Sequence, residues 1–373
     1  MAGLTETPRA NRIRIAFFGL RNAGKSTLVN AFTGQDLAIV SDTPGTTTDP
    51  VSKAMEILPL GPCLVTDTAG LDDVGELGEM RVRKTLDVLA TTDIAVWVEG
   101  EPEAGKGEAA KAAEDAFREA CRRQKVTVIE YRRGEDVGTL KRRIAAVEIG
   151  EIEPGLLDGL VGKGAHVVCV CPIDESAPKG RLILPQVQVI RACLDAQATV
   201  TVCRPDDVKG EIGDGAGCDL VVTDSQAFGV VRAAVPASVR LTSFSVLFAR
   251  QKGDLAEYVR GVEAIRRLAD GDLVLVAEGC THHRQCNDIG SVKIPKALER
   301  LSGRRLRFAF ASGQTFEPPE GTALVVHCGG CMLTRREMLR RIAQARASGI
   351  PIVNYGLVLA AANGIGIGDI LVI

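Results

Sequence analysis

An α/β fold in three domains is predicted by three features of the 373-residue chain. A strand pattern at Ile13–Phe18 runs into Gly19-Leu-Arg-Asn-Ala-Gly24-Lys25-Ser26 and then into a helical pattern, the setting that a phosphate-binding loop requires. Farther along, short β-rich runs alternate with helical stretches, and such alternation builds parallel sheets. Near the C-terminus, Cys280-Thr-His282-His283 and His327-Cys328-Gly-Gly-Cys331 each follow an apolar strand pattern. The predicted domains span 1–164, 165–270 and 271–373.

Composition sets bounds. Hydrophobic residues at 46% and charged residues at 25% suit a soluble globular protein. A net charge of −2 gives no general attraction to nucleic acid or to an acidic membrane surface, so neither is an expected partner. The stretch from Met1 to Asn11 is polar and has no apolar signal core, and no apolar run reaches about 18 residues. The expected location is cytoplasmic, where the eleven cysteines read as thiols and metal ligands.

In the first domain the parts follow the order of a GTPase. Glycines let the backbone amides of Gly19 to Thr27 wrap phosphate, Lys25 neutralises its charge, and Ser26 holds Mg²⁺. The predicted nucleotide contacts are Gly19, Asn22, Ala23, Gly24, Lys25, Ser26, Thr27, Thr47, Asp67 and Gly70. Pro44-Gly-Thr-Thr47-Thr-Asp49 resembles the first switch loop of translation-factor-like GTPases, where the threonine matching Thr47 closes over Mg²⁺ and the γ-phosphate. The run Leu64–Gly70 is a strand ending in DxxG. Its Asp67 is expected to reach Mg²⁺, and the Gly70 amide to sense the γ-phosphate. Lys25, Asn22, Thr47 and Gly70 are the candidate catalytic groups.

Two departures qualify this pattern. Leu71 stands where Ras-like enzymes carry the glutamine that orients water. Asn22, together with the Gly45-Thr-Thr-x-Asp49 run, resembles potassium-activated GTPases, and that resemblance implies K⁺ beside the phosphates. After the strand pattern Val126–Ile129, the guanine-reading Asn-Lys-x-Asp is replaced by Glu130-Tyr-Arg-Arg-Gly-Glu135-Asp136. Glu135 or Asp136 are the available substitutes, and guanine preference is not secured.

Gly150–Gly164 reads as a connecting segment. Strand patterns at Val167–Cys171, Thr199–Cys203, Leu220–Thr223 and Val239–Leu241 follow, with a helix from Leu184, and Cys169 and Cys171 read as core. The aromatic-rich stretch Thr242–Arg250 suits an interface or a core equally.

The third domain carries the metal-binding pattern. Three of the four histidines lie in the two motifs, too far apart in sequence for one loop. Thiolates with imidazole favour zinc, copper(I) or an iron–sulfur cluster. The candidate ligands are Cys280, His282, His327, Cys328 and Cys331; Cys286 is a weaker one. Strand patterns at Asp272–Val276 and Ala323–Val326 would deliver both groups to one sheet edge, and a helix starting near Thr334 would favour the thiolates.

The combination of this P-loop, the stretches LPQVQVIR and TSFSVLFAR, and CTHH with HCGGC resembles the HydF family, the maturation GTPases of FeFe-hydrogenase. The resemblance runs from about Arg12 to the end. It implies a Ras/TrmE-like GTPase domain using GTP/GDP and Mg²⁺, a dimerisation domain that makes a homodimer, and a domain holding a four-iron four-sulfur cluster. It implies Cys280, Cys328 and Cys331 as cluster ligands, with His282 or His327 as a variable fourth. The implied role is a non-enzymatic scaffold that carries a transient diiron precursor cluster from the radical-SAM hydrogenase maturases to apo FeFe-hydrogenase. The alternative reading is a tRNA-modification or ribosome-assembly type GTPase with a structural zinc site.

Overall fold

The computed structural model describes residues 7–34, 51–72, 76–100, 107–148, 154–173, 180, 182–279, 288–313 and 316–371. The chain divides into two compact units, Met1–Ile152 and Glu153–Ile373.

In the first unit, β1 (Ile13–Phe18), α1 (Lys25–Thr33), β2 (Val51–Ile57), β3 (Gly61–Asp67) and α2 (Glu76–Leu89) are followed by β4 (Ile94–Val98), α3 (Glu108–Arg123), β5 (Thr127–Tyr131) and α4 (Val137–Ala145). The sheet order is β2-β3-β1-β4-β5, with β2 antiparallel to β3 and the other pairings parallel. Side chains alternate across a strand, so β1 and β4 each feed two cores. Ile15, Phe17, Val96 and Val98 pack with Phe32 of α1 and Leu140 of α4, while Ala16, Phe18, Ala95 and Trp97 pack with Phe117 of α3.

The second unit holds two parallel four-stranded sheets. The middle sheet uses β6 (His166–Val170), α5 (Leu184–Asp195), β7 (Thr199–Cys203), α6 (Val208–Ile212), β8 (Leu220–Thr223), α7 (Phe228–Ala234), β9 (Arg240–Ser243) and α8 (Phe244–Lys252), in the order β7-β6-β8-β9. The last sheet uses α9 (Leu255–Ile265), β10 (Leu273–Glu278), α10 (Ile294–Ser302), β11 (Arg307–Ser312), β12 (Thr322–His327), α11 (Arg335–Ala347) and β13 (Ile352–Asn354), followed by α12 (Tyr355–Ala362) and α13 (Ile367–Leu371). Its order is β11-β10-β12-β13.

Two expectations about connections are corrected by packing. Leu156, Leu157 and Leu160, read as part of a connecting segment, join the middle core with Val167 and Cys169. Helix α9, assigned by sequence to the middle domain, supplies Tyr258, Ala264 and Ile265 to the core of the last sheet. Burying Ile265 contributes about 1.5–3 kcal/mol. Gly261 permits this approach, because a Cβ there would stand 2.1 Å from the Ile352 carbonyl oxygen on β13. Helix α8 serves both sheets: Phe244, Leu247 and Phe248 enter the middle core, and Val246 and Ala249 enter the last one. The aromatic stretch is therefore core at these positions.

Candidate functional site: a phosphate loop and a cysteine pair

The phosphate loop grows from β1, the strand flanked by β3 and β4. Gly19 has φ 155, and a Cβ there would meet the Val98 carbonyl oxygen at 2.7 Å. Asn22 and Gly24 take left-handed conformations, φ 59 and 86, which asparagine tolerates better than other side-chain-bearing residues. These turns lead directly into the start of α1, and a helix N-terminus favours an anion. Lys25 is buried and donates to the loop's own carbonyls, Gly19 at 3.2 Å and Leu20 at 2.7 Å.

The end of β3 faces this loop. Ser26 Oγ donates to Asp67 Oδ2 at 2.6 Å, while Asp67 Oδ1 is buried without a partner among the described residues. Burial raises the Asp67 pKa, with the Ser26 hydrogen bond and Lys25 opposing. A buried carboxylate oxygen left unmet beside a serine hydroxyl fits Mg²⁺, a hard cation that takes oxygen donors. Gly70 lies against the loop; a Cβ would stand 2.9 Å from the Cα and amide nitrogen of Arg21. Leu71 N–H donates to Gly19 O at 3.3 Å, and Arg21 N–H to Asp72 Oδ1 at 2.5 Å. Asp72 was not singled out by sequence, since nothing in DxxG marks the second residue after its glycine.

The structure thus brings Gly19, Asn22, Ala23, Gly24, Lys25, Ser26, Thr27, Asp67 and Gly70 to one edge of the first sheet. Thr47 and its loop lie outside the described residues. The two proposed guanine readers are engaged elsewhere. Asp136 caps α4, accepting from Thr139 N–H at 2.8 Å, and Glu135 pairs with Arg143 at 2.9 Å.

The cysteine pair sits at the last sheet. Strand β10 has β11 on one side and β12 on the other, so the chain changes direction at β10, where open α/β sheets form their ligand crevice. Parallel register pairs Ala277 with His327, and His327 with Asn354. Cys328 therefore emerges beside Gly279, whose N–H donates to Cys328 Sγ at 3.2 Å. Cys280 and His282 lie outside the described residues; Gly279 is the residue before Cys280. Gly330, at φ 67, turns the chain between the two cysteines, and a Cβ there would meet Met338 Cε at 2.4 Å. Cys328 packs against the core of the last sheet and Cys331 against that of the middle sheet, so the loop lies on the seam between them.

Burial pushes the Cys328 thiol up to about 11 and also raises Cys331, where Lys252 opposes the rise. Lys252, at the end of α8, is 1% exposed and donates to the carbonyls of Gly330 (3.4 Å), Cys331 (3.4 Å) and Leu333 (2.7 Å). Its ammonium also lies 5.3 Å from the centre of the Phe248 ring. Tyr258 Oη is buried without a partner among the described residues, and its ionisation is suppressed by burial and by Cys328. Desolvated thiols beside a fixed cation fit a thiolate-held metal group, whose negative charge the lysine would balance. Among the described residues, no three His, Cys, Asp or Glu side chains gather as a metal centre. Thr334 caps α11, accepting from Glu337 N–H at 3.2 Å.

His327 has both ring nitrogens engaged by protein groups. It is fully buried, with Nδ1 2.9 Å from the Cys328 carbonyl oxygen and Nε2 3.1 Å from Arg341 Nη1. Burial and then Arg341 lower its pKa to about 4. Arg341 is itself fully buried and donates through Nε to Glu337 at 2.8 Å and through Nη2 to the Gly313 carbonyl at 2.7 Å. Sequence reasoning missed Lys252 and Arg341. The i,i+4 spacing of Glu337 and Arg341 is the one signal for the latter, and many solvent-facing pairs share it.

Residues 156–253 match the family described as the hydrogen maturase F dimerization domain, and residues 256–367 match its tetramerization domain. The chain belongs to the hydrogen maturase F family. Residues 14–131 match the 50S ribosome-binding GTPase family, so the first unit carries a GTPase domain. Among curated proteins, the chain is 40% identical over 100 residues to the tRNA modification GTPase MnmE of Methylorubrum populi, covering 26% of this chain and 22% of that one. It is 38% identical over 91 residues to MnmE of Endomicrobium trichonymphae, covering 23% and 19%. The chain thus spans about a fifth of the length of these relatives. Among solved structures, Era of Aquifex aeolicus bound to GDP.AlF4− shares 13% identity with a TM-score of 0.28, over 80% of this chain and 93% of that one. No helix among the described residues is long and apolar enough to cross a membrane.

Proposed function

We propose that this protein is a GTP-hydrolysing carrier for hydrogenase maturation. It holds a four-iron four-sulfur cluster through Cys280, Cys328 and Cys331 and delivers a diiron precursor to apo FeFe-hydrogenase. The hydrogen bond from Gly279 N–H to Cys328 Sγ carries this reading, because it sets the chain one residue before Cys280 against the thiol of the Cys-x-x-Cys pair. Belonging to the hydrogen maturase F family supplies the class of client.

The roles of the chain's own residues follow from chemistry. Lys25 exchanges its bonds to the Gly19 and Leu20 carbonyls for phosphate oxygens when GTP arrives. Ser26 and Asp67 hold Mg²⁺, Thr47 closes over the γ-phosphate, and Asn22 shares in holding K⁺. The Gly70 amide reads the γ-phosphate and passes its presence to the segment after β3. Lys252 and the buried setting of Cys328 and Cys331 keep charge and water under control at the second site. The cluster, when bound, supplies an anchoring point for the diiron cargo. The dimerization and tetramerization descriptions support an oligomer. Radical-SAM maturases and the hydrogenase are the partners this reading assigns to it. Nucleotide state biases docking of those partners and is not consumed in chemistry on the cluster.

The test is a double dissociation after anaerobic reconstitution. Cys328→Ser is expected to abolish bound iron and sulfide and maturation of apo-hydrogenase while GTP turnover persists. Lys25→Ala is expected to abolish turnover while iron binds. Loss of both properties in either variant contradicts two separable sites. Equal hydrolysis in Na⁺ and K⁺ buffers removes the role given to Asn22.

A further inference from the structure

We propose that His327 is a positioning residue and not a cluster ligand: its ring, held between the Cys328 carbonyl and the Arg341 guanidinium, sets the peptide from which the Cys328 thiol projects. The inference rests on the cluster reading above for the identity of the metal group, but its geometry stands independently.

A carbonyl oxygen only accepts, so the 2.9 Å contact with Cys328 O fixes the proton on Nδ1. The single lone pair of the neutral ring is then on Nε2, and Arg341 Nη1 donates into it at 3.1 Å. A metal needs that same lone pair. Freeing it means moving Arg341, which is anchored on three further sides: Glu337 Oε1 at 2.8 Å, the Gly313 carbonyl at 2.7 Å, and the Phe316 ring with its centre 5.3 Å away. Glu337 is held in turn by Arg340 at 2.8 Å. Turning the ring would also take Nδ1–H from Cys328 O, which Asn354 Nδ2 reaches only at 3.4 Å. The same network ties Gly313, after β11, to His327 at the end of β12, so it braces the rim over which the cysteines lie. Supporting groups of this kind commonly set metal affinity without touching the metal.

The test uses the full chain, wild type and variants. In the metal-free protein, ¹⁵N NMR of the histidine rings is expected to show His327 with Nδ1 protonated and Nε2 bare. A proton on Nε2 overturns the proposal whether or not the protein takes up iron. After anaerobic reconstitution, H327N keeps a donor to Cys328 O and is expected to retain wild-type iron and sulfide. Its reduced-state ¹⁴N hyperfine spectrum should match that of wild type. H327L and R341M are both expected to lose iron to a chelator about 10-fold faster. A histidine nitrogen coupling present in wild type and absent from H327N shows ligation and overturns the proposal. So does R341M keeping its iron while H327N loses it. A wild type that binds no iron and sulfide sinks the carrier reading alone, because the NMR result still decides the tautomer.

Discussion

At the scale of single residues, contact distance decides more than chemical type. DxxG marks Gly70 as a candidate γ-phosphate sensor, but the reason the fold demands glycine there is that Arg21 backbone lies 2.9 Å from where a Cβ would be. Gly70→Ala is therefore expected to push the two loops apart and lower GTP turnover by about tenfold or more with little change in melting temperature, a steady-state assay against thermal unfolding being the check. His327 shows the opposite case. Its place beside two cysteines marks it as a ligand by pattern, and only the fold reveals Arg341 occupying the nitrogen that pattern would assign to metal. Glu337 belongs to the same network. Burial opposes its ionisation, but Arg340 and Arg341 outweigh burial and hold its pKa below the ordinary 4.5. A carboxylate with a depressed folded pKa lends stability above its unfolded value and loses it as pH falls through the folded one. Urea midpoints measured downward from pH 6 should thus decline below about pH 4.5 more steeply for wild type than for Glu337→Gln.

Elements follow the same logic with packing in place of contact. Strands that precede a motif, β1, β3, β10 and β12, were legible because an apolar run ends at a recognisable motif. Strands β4 and β13 carry no such marker: β4 is buried at all five positions, which shows no period, and β13 is three residues long. Helix α8 was legible as an aromatic stretch but not as a shared one, since a single face count cannot say that two cores divide it. Its last residue turns this sharing to use. Lys252 leaves the helix to hold three carbonyls of the cysteine loop, so the loop's backbone is fixed from the middle sheet. Lys252→Met keeps the stem but removes the charge and its donors. Iron uptake after reconstitution should fall several-fold, or the bound iron should become about 10-fold more labile to chelation, while far-ultraviolet circular dichroism stays unchanged. Unaltered iron retention would show that the loop holds its shape without the lysine.

For the whole molecule, three sheets were legible and their borders were not. Composition marks the Gly-rich passage near residue 150 as a joint, but three leucines within it, Leu156, Leu157 and Leu160, fill the middle core. Likewise, the polar turn at Ala269–Asp272 looks like a boundary, while the helix before it packs on the sheet after it. Chain order and core membership diverge because a helix can fold back as easily as forward, and local pattern is the same in both cases. The C-terminus repeats the theme, with Thr242 on β9 donating to the Ile370 carbonyl of α13 at 2.8 Å.

Dissecting this protein is governed by that interleaving. A fragment starting at Gly271 would leave behind Tyr258, Ala264 and Ile265, expose the greasy floor they cover, and is expected to precipitate or bind apolar dyes. A fragment starting at Pro154 keeps every shared helix and is expected to unfold as one cooperative body. The practical lesson is surgical: the scalpel belongs where the side chains part company, not where the sheets change number.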